Sequence, residues 1–116
     1  MLRTFKSFRF ALAGLTHALR YGRSFQIQLV FGVATVALIF ILDLTKLEAA
    51  IILSLIFLIL SLELINTTAE RIIDCFRPEI SLHAKVIKDL MAAAVLVASL
   101  GAVVVGCLIF LPKMVC

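Results

Sequence analysis

Glu63, Asn66, Glu70 and Asp74 follow the apolar run AAIILSLIFLIL at steps of three, four and four. A helix presents all four on one face. A second cluster, HAKVIKDL at 83–90, brings Lys85, Lys88 and Asp89 together at i, i+3 and i+4. Glu63 falls at or near the edge of a membrane-length segment. Inserting a charge at the centre of such a segment costs about 2.5–3.5 kcal/mol on insertion scales. Glu63 is therefore expected to face protein or water rather than lipid, and to serve a function.

One desolvated carboxylate, an amide, further acids and two lysines suit phosphoryl transfer from a nucleotide. The carboxylate could take a proton from a lipid hydroxyl. An acid one or two turns farther into water could hold Mg²⁺, an ion that takes one or two carboxylates together with substrate phosphates and waters. Lysines would offset the negative charge of the transferring group. The same residues would also serve as helix caps and ion pairs at a membrane surface, and the spacing alone leaves both readings open.

The elements that must position these residues are membrane helices. The chain has 116 residues, 64% hydrophobic and only 16% charged. Soluble domains are nearer half apolar and a quarter charged. The expected architecture is all-α: a single membrane domain over 1–116, with an N-terminal amphipathic surface helix and three transmembrane helices. The surface helix covers 2–21, where Leu2, Phe5, Phe8, Leu12, Leu15 and Leu19 make an apolar stripe opposite Arg3, Lys6 and Arg9. The spans are 27–42, 47–65 and 90–111, each near the ~20 residues that cross a ~30 Å hydrocarbon core. The short link DLTK makes the first two an antiparallel hairpin, and Pro112 is expected to end the third. Residues 66–89 read as a cytoplasmic helical segment interrupted around Arg77-Pro78.

Nine of the eleven lysines and arginines lie in the N-terminal segment and in 66–89. The positive-inside bias puts both in the cytoplasm, at the inner membrane, and the C-terminus outside. Basic residues recur through Arg23, so no clean apolar h-region marks a signal peptide. Cys75, Cys107 and Cys116 are widely spaced and form neither a disulfide framework nor a zinc site. His17 and His83 lack a second ligand at helical spacing and read as interfacial polar residues. Small residues at Ala94, Ala98 and Ala102 allow close helix approach. Three spans enclose little by themselves, which favours an oligomer. A pore subunit using Glu63 as a proton relay is a rival reading. Against it, the polar residues collect at one membrane face, and the other spans have no charge near their centres.

SLELINTTAERIID, followed by AKVIKDLMAAAVL, resembles the prokaryotic diacylglycerol kinase and undecaprenol kinase family. The likeness runs from FRFALAGLTHALR to FLPK, and no P-loop motif occurs. The resemblance implies a small trimeric membrane enzyme with active sites shared between subunits. ATP would be co-substrate, Mg²⁺ the cofactor, and a lipid alcohol the acceptor. It implies Glu63 as general base and Asn66 as the residue orienting the reacting groups. Glu70 would bind Mg²⁺ and nucleotide, while Lys88 and Asp89 would contact ATP. Glu79, Ile80 and Ser81 match a loop along the nucleotide, and Arg3 and Phe10 match further nucleotide contacts. The lipid would enter near Leu12, Leu15 and Phe25, reaching Glu63. Asp74 and Lys85 would be supportive. Gly22 stands where the family carries a second metal-binding glutamate, and Ser24 and Ser81 replace its usual asparagine and histidine. Loss of that glutamate implies weaker metal binding, or a chain that binds nucleotide or lipid without turnover. The headgroup chemistry is the same for diacylglycerol and undecaprenol, and tail packing decides between them.

Overall fold

The computed structural model describes residues 2–75 and 82–115. The described residues form four helices and no strand: α1 (Leu2–Tyr21), α2 (Arg23–Ile41), α3 (Lys46–Cys75) and α4 (Leu82–Val115). The fold is all-α, and α2, α3 and α4 are each long and apolar enough to cross a membrane.

The limits of all three spans differ from the expected ones. Helix α2 begins at Arg23 rather than at residue 27. Helix α3 contains neither glycine nor proline and runs unbroken for 30 residues. At 1.5 Å per residue it is ~45 Å long, about 15 Å more than a hydrocarbon core requires. Residues 66–75 are thus the end of α3, and 82–89 are the start of α4. The interruption expected at Arg77-Pro78 lies outside the described residues. Helix α4 also continues through Pro112 to Val115. Proline removes one backbone donor, but neighbouring bonds can carry the last turn. Lys113 also ties that turn to Glu48 of α3 at 3.2 Å.

Helix α3 is central, packed against α4 on one side and α2 on the other, while α1 packs on α2. Few side chains are buried: Ala18, Phe25, Ile39, Ile52 and Ile73 among the apolar ones. Phe31, Phe40, Phe57, Leu96 and Leu108 point outward. So much exposed apolar surface would be a liability in water and suits acyl chains. A Cβ on Gly32 would sit 3.1 Å from Ile56 Cγ2, so glycine sets the close approach of α2 to α3. Two hydroxyls along the spans bond back one turn: Thr35 to Phe31 O at 2.7 Å and Ser54 to Ala50 O at 2.8 Å. These bonds satisfy them without water.

Two corners set the helix directions. Between α1 and α2, the Gly22 N–H donates to Ala18 O at 2.8 Å, and the Gln26 N–H donates to Gly22 O at 2.9 Å. The Gln26 side-chain amide donates to Leu19 O at 2.7 Å and to Arg20 O at 3.2 Å. It thereby covers carbonyls that the end of a helix leaves bare. Between α2 and α3, Asp43 takes φ 56°, a left-handed conformation that aspartate tolerates. The Leu44 N–H there returns to Ile39 O at 3.2 Å, as in a Schellman closure. Thr45 and Glu48 then form a reciprocal capping box at the start of α3.

Candidate active site

Glu63 sits just over half-way along α3 and is only 4% exposed, the one buried charged side chain among the described residues. Its Oε2 has no hydrogen-bond partner among them. One turn on, the Asn66 amide donates from Nδ2 to Glu70 Oε1 at 3.3 Å. Asn66 Oδ1 is buried and equally without a partner. Thr67 spends its hydroxyl on Glu63 O at 2.9 Å. Two turns beyond Asn66, Asp74 Oδ1 accepts from Lys88 Nζ at 2.9 Å, which links α3 to the first turns of α4. The helical spacing of the acids therefore makes a ladder with a rung at Glu63–Asn66 that holds two buried, unpartnered oxygens and an ion-paired rung at Asp74.

Lys85 and Asp89 pair with each other at 3.2 Å, exposed and one turn apart on α4. Such a pair contributes little to stability, so both side chains are free to exchange partners for a ligand. The spacing of KVIKD suggested one cluster of three. The structure divides it, with Lys88 going to α3 and Lys85 staying on α4.

Other candidates are dispersed. Phe25 is buried in the first turn of α2. Leu12 and Leu15 are exposed on α1, as are Arg3 and Phe10 nearer its start. Glu79, Ile80 and Ser81 lie outside the described residues. Sequence reasoning missed two contacts. Arg71 of α3 donates to His17 Nε2 of α1 at 2.6 Å, and His17 stacks against Tyr21 with ring centroids 4.9 Å apart. This link carries α1 to the polar end of α3. Gln26 is the other omission. Neither had a local signal, since each partner comes from another helix.

The oxygens available to a cation are few. Among the described residues, no three His, Cys, Asp or Glu side chains come close enough to hold a metal. At Gly22, a Cβ would lie 2.7 Å from Ala18 O and 3.3 Å from Phe25 Cβ. With this backbone the corner admits no side chain without a shift, which suits glycine at position 22.

The model of the prokaryotic diacylglycerol kinase family matches residues 9–110. The chain belongs to that family. Arg3 lies outside the matched stretch, whereas the ladder from Glu63 to Asp74 and Lys88 lies within it. A diacylglycerol kinase of Synechocystis sp. is 37% identical over 110 residues, which is 93% of this chain. The chain spans 62% of that relative's length. An undecaprenol kinase of Bacillus subtilis is 38% identical over 112 residues, covering 97% of this chain and 91% of the relative. No solved structure gives a significant match. Three apolar helices and this family make the chain a membrane protein.

Proposed function

We propose that this chain transfers the γ-phosphoryl group of ATP to the hydroxyl of a membrane lipid alcohol, diacylglycerol or undecaprenol. Family membership and relatives named for kinases of those two lipids support this reading. The observation that carries it is Glu63: a carboxylate 4% exposed, on a membrane helix, with one oxygen unpartnered. A buried acceptor in that condition costs free energy unless a ligand completes it.

In the proposed reaction, Glu63 takes the proton of the lipid hydroxyl as the hydroxyl oxygen bonds to the γ-phosphorus. The bond from phosphorus to the β–γ bridging oxygen breaks, and ADP leaves. Glu63 then releases its proton to water. Asn66 orients the hydroxyl by donating to its oxygen the second Nδ2 hydrogen, which the bond to Glu70 leaves over. Lys88, positioned by Asp74, meets the phosphates, with Lys85 about one turn before it and Asp89 next to it in the chain.

An exposed carboxylate such as Glu70 suits a hard cation. Glu70 would hold Mg²⁺, with phosphate and water supplying what a three-acid cluster would otherwise provide. When bound, Mg²⁺ neutralises charge on the β- and γ-phosphates. Arg3, Phe10, Glu79, Ile80 and Ser81 are proposed nucleotide contacts, and Leu12, Leu15 and Phe25 lie along the lipid's approach. The positive-inside bias of the lysines and arginines supports an inner-membrane location with this polar end in the cytoplasm. A homotrimer with shared sites is the proposed assembly.

Purified protein in mixed micelles with Mg-ATP is expected to put labelled phosphate into one of the two lipids. Glu63→Gln should lower the rate by at least ~100-fold. No label in either lipid at any Mg²⁺ concentration would overturn the reading.

A further inference from the structure

Arg71 follows Glu70 on α3 and, among the described residues, pairs with no carboxylate. Asp74, one turn on, is taken by Lys88, and Glu70 accepts from Asn66. Arg71 donates instead to another helix, from Nη2 to His17 Nε2 of α1 at 2.6 Å. Arginine can only donate, so Nε2 is the acceptor. A hydrogen bond with one charged partner is roughly twice as strong as a neutral one. On its other side the imidazole packs against Tyr21, with ring centroids 4.9 Å apart.

Helix α1 has little else to fix its roll. Ala18 is its one buried residue, and the others are exposed. A helix held along one line of contact can turn about its own axis. A second contact on a different bearing stops it, and consecutive helical residues differ in bearing by about 100°. Ala18 and His17 are two such points. Seven residues make nearly two turns, so Phe10 and Arg3, seven and fourteen residues before His17, share its face. Leu12 and Leu15 lie about 140° and 160° away from it. The bond to Arg71 thus turns toward α3 the side of α1 that carries Arg3 and Phe10, and leaves the apolar stripe facing elsewhere.

We propose that Arg71 and His17 are positioning residues for the nucleotide: their bond sets the roll of α1 and so holds Arg3 and Phe10 toward the ATP that Lys88 meets. The inference rests on the kinase reading and deepens it, since neither residue touches a substrate. Glu70 and Arg71, adjacent on α3, then divide the work, the first toward the metal and phosphates and the second toward the helix that covers them.

Arg71→Met keeps the length of the side chain and loses the donor. It is expected to raise KM for ATP about tenfold while kcat at saturating ATP stays within about twofold, the pattern of lost binding rather than lost chemistry. KM for the lipid should change less than about twofold, because apolar contacts at Leu12 and Leu15 need no fixed direction. His17→Phe should act like Arg71→Met, and the double variant should be no worse than the worse single one. Arg71→Lys and His17→Gln supply a donor and an acceptor again, and should bring KM for ATP back within about threefold of wild type. An unchanged KM for ATP in Arg71→Met and His17→Phe would overturn the proposal. So would an equal rise in both Michaelis constants, which marks general loosening, additive losses in the double variant, or failure of both conservative variants to restore KM. Retention of labelled Mg-AMP-PNP by the same variants in micelles needs no turnover. Retention that weakens about tenfold in Arg71→Met, from a wild-type chain that phosphorylates no lipid, would sink the kinase reading alone. Lipid phosphorylation with retention unchanged in Arg71→Met would sink the positioning role alone.

Discussion

Glu48 and Asp74, near opposite ends of α3, are each paired with a lysine of α4, Lys113 at 3.2 Å and Lys88 at 2.9 Å. Their surroundings differ. At the hairpin end, Glu48 also accepts the Thr45 N–H at 3.0 Å, and Thr45 returns a bond to the Glu48 N–H. Donors there meet acceptors, and the group closes a corner. Toward the polar end, the same helix buries Glu63 Oε2 and Asn66 Oδ1 with no described partner. Matching residue types thus serve two purposes. Completed hydrogen bonding marks an acid that holds helices together, and burial without a partner marks one that waits for a ligand.

The sharpest way to break this contrast is to neutralise both glutamates. Glu63→Gln is expected to abolish lipid phosphorylation, while Glu48→Gln should keep the rate and lower the temperature at which activity is lost. Equal losses of rate would dissolve the distinction. Next in size is the ion-paired rung. Lys88→Met should cut kcat/KM for ATP by about 10–100-fold, as loss of a phosphate-facing cation does. Asp74→Asn should cost less, because it leaves the cation in place and loosens only its position; an equal or larger loss would give Asp74 a direct role.

Two smaller effects test the corners. Gly22→Ala drives a Cβ against the Ala18 carbonyl and should destabilise the fold by about 1–3 kcal/mol. Thermal inactivation followed in micelles checks it, and no change would show that the corner relaxes freely. Gly22→Glu meets the same collision, so an acid placed there should cost stability before any gain in metal binding. His17→Phe keeps stacking on Tyr21 but removes the acceptor for Arg71, and should cost about 0.5–1.5 kcal/mol. A double-mutant cycle with Arg71→Met would show no coupling if the contact were idle.

Much of this molecule is visible in single segments of chain. Apolar runs without glycine or proline made α3 a helix long enough to leave the bilayer, and that helix alone put Glu63, Asn66, Glu70 and Asp74 on one face. The DLTK turn announced the hairpin because turn chemistry is local. Pro112 was misleading for the same reason: its local cost is visible, whereas the ion pair from Glu48 that holds the last turn comes from 65 residues away.

Helical period, span length and the resemblance of the 61–74 segment to a known family were thus properties of the sequence by itself, since each depends on neighbours within a turn or two. The tertiary structure decided which side chains lose their water and which find partners. Lys88 meets Asp74 across the gap between two helices, and Arg71 reaches His17 over 54 residues. Those outcomes depend on how helices cross, and helix crossing is set by contacts between faces that no single stretch of chain contains.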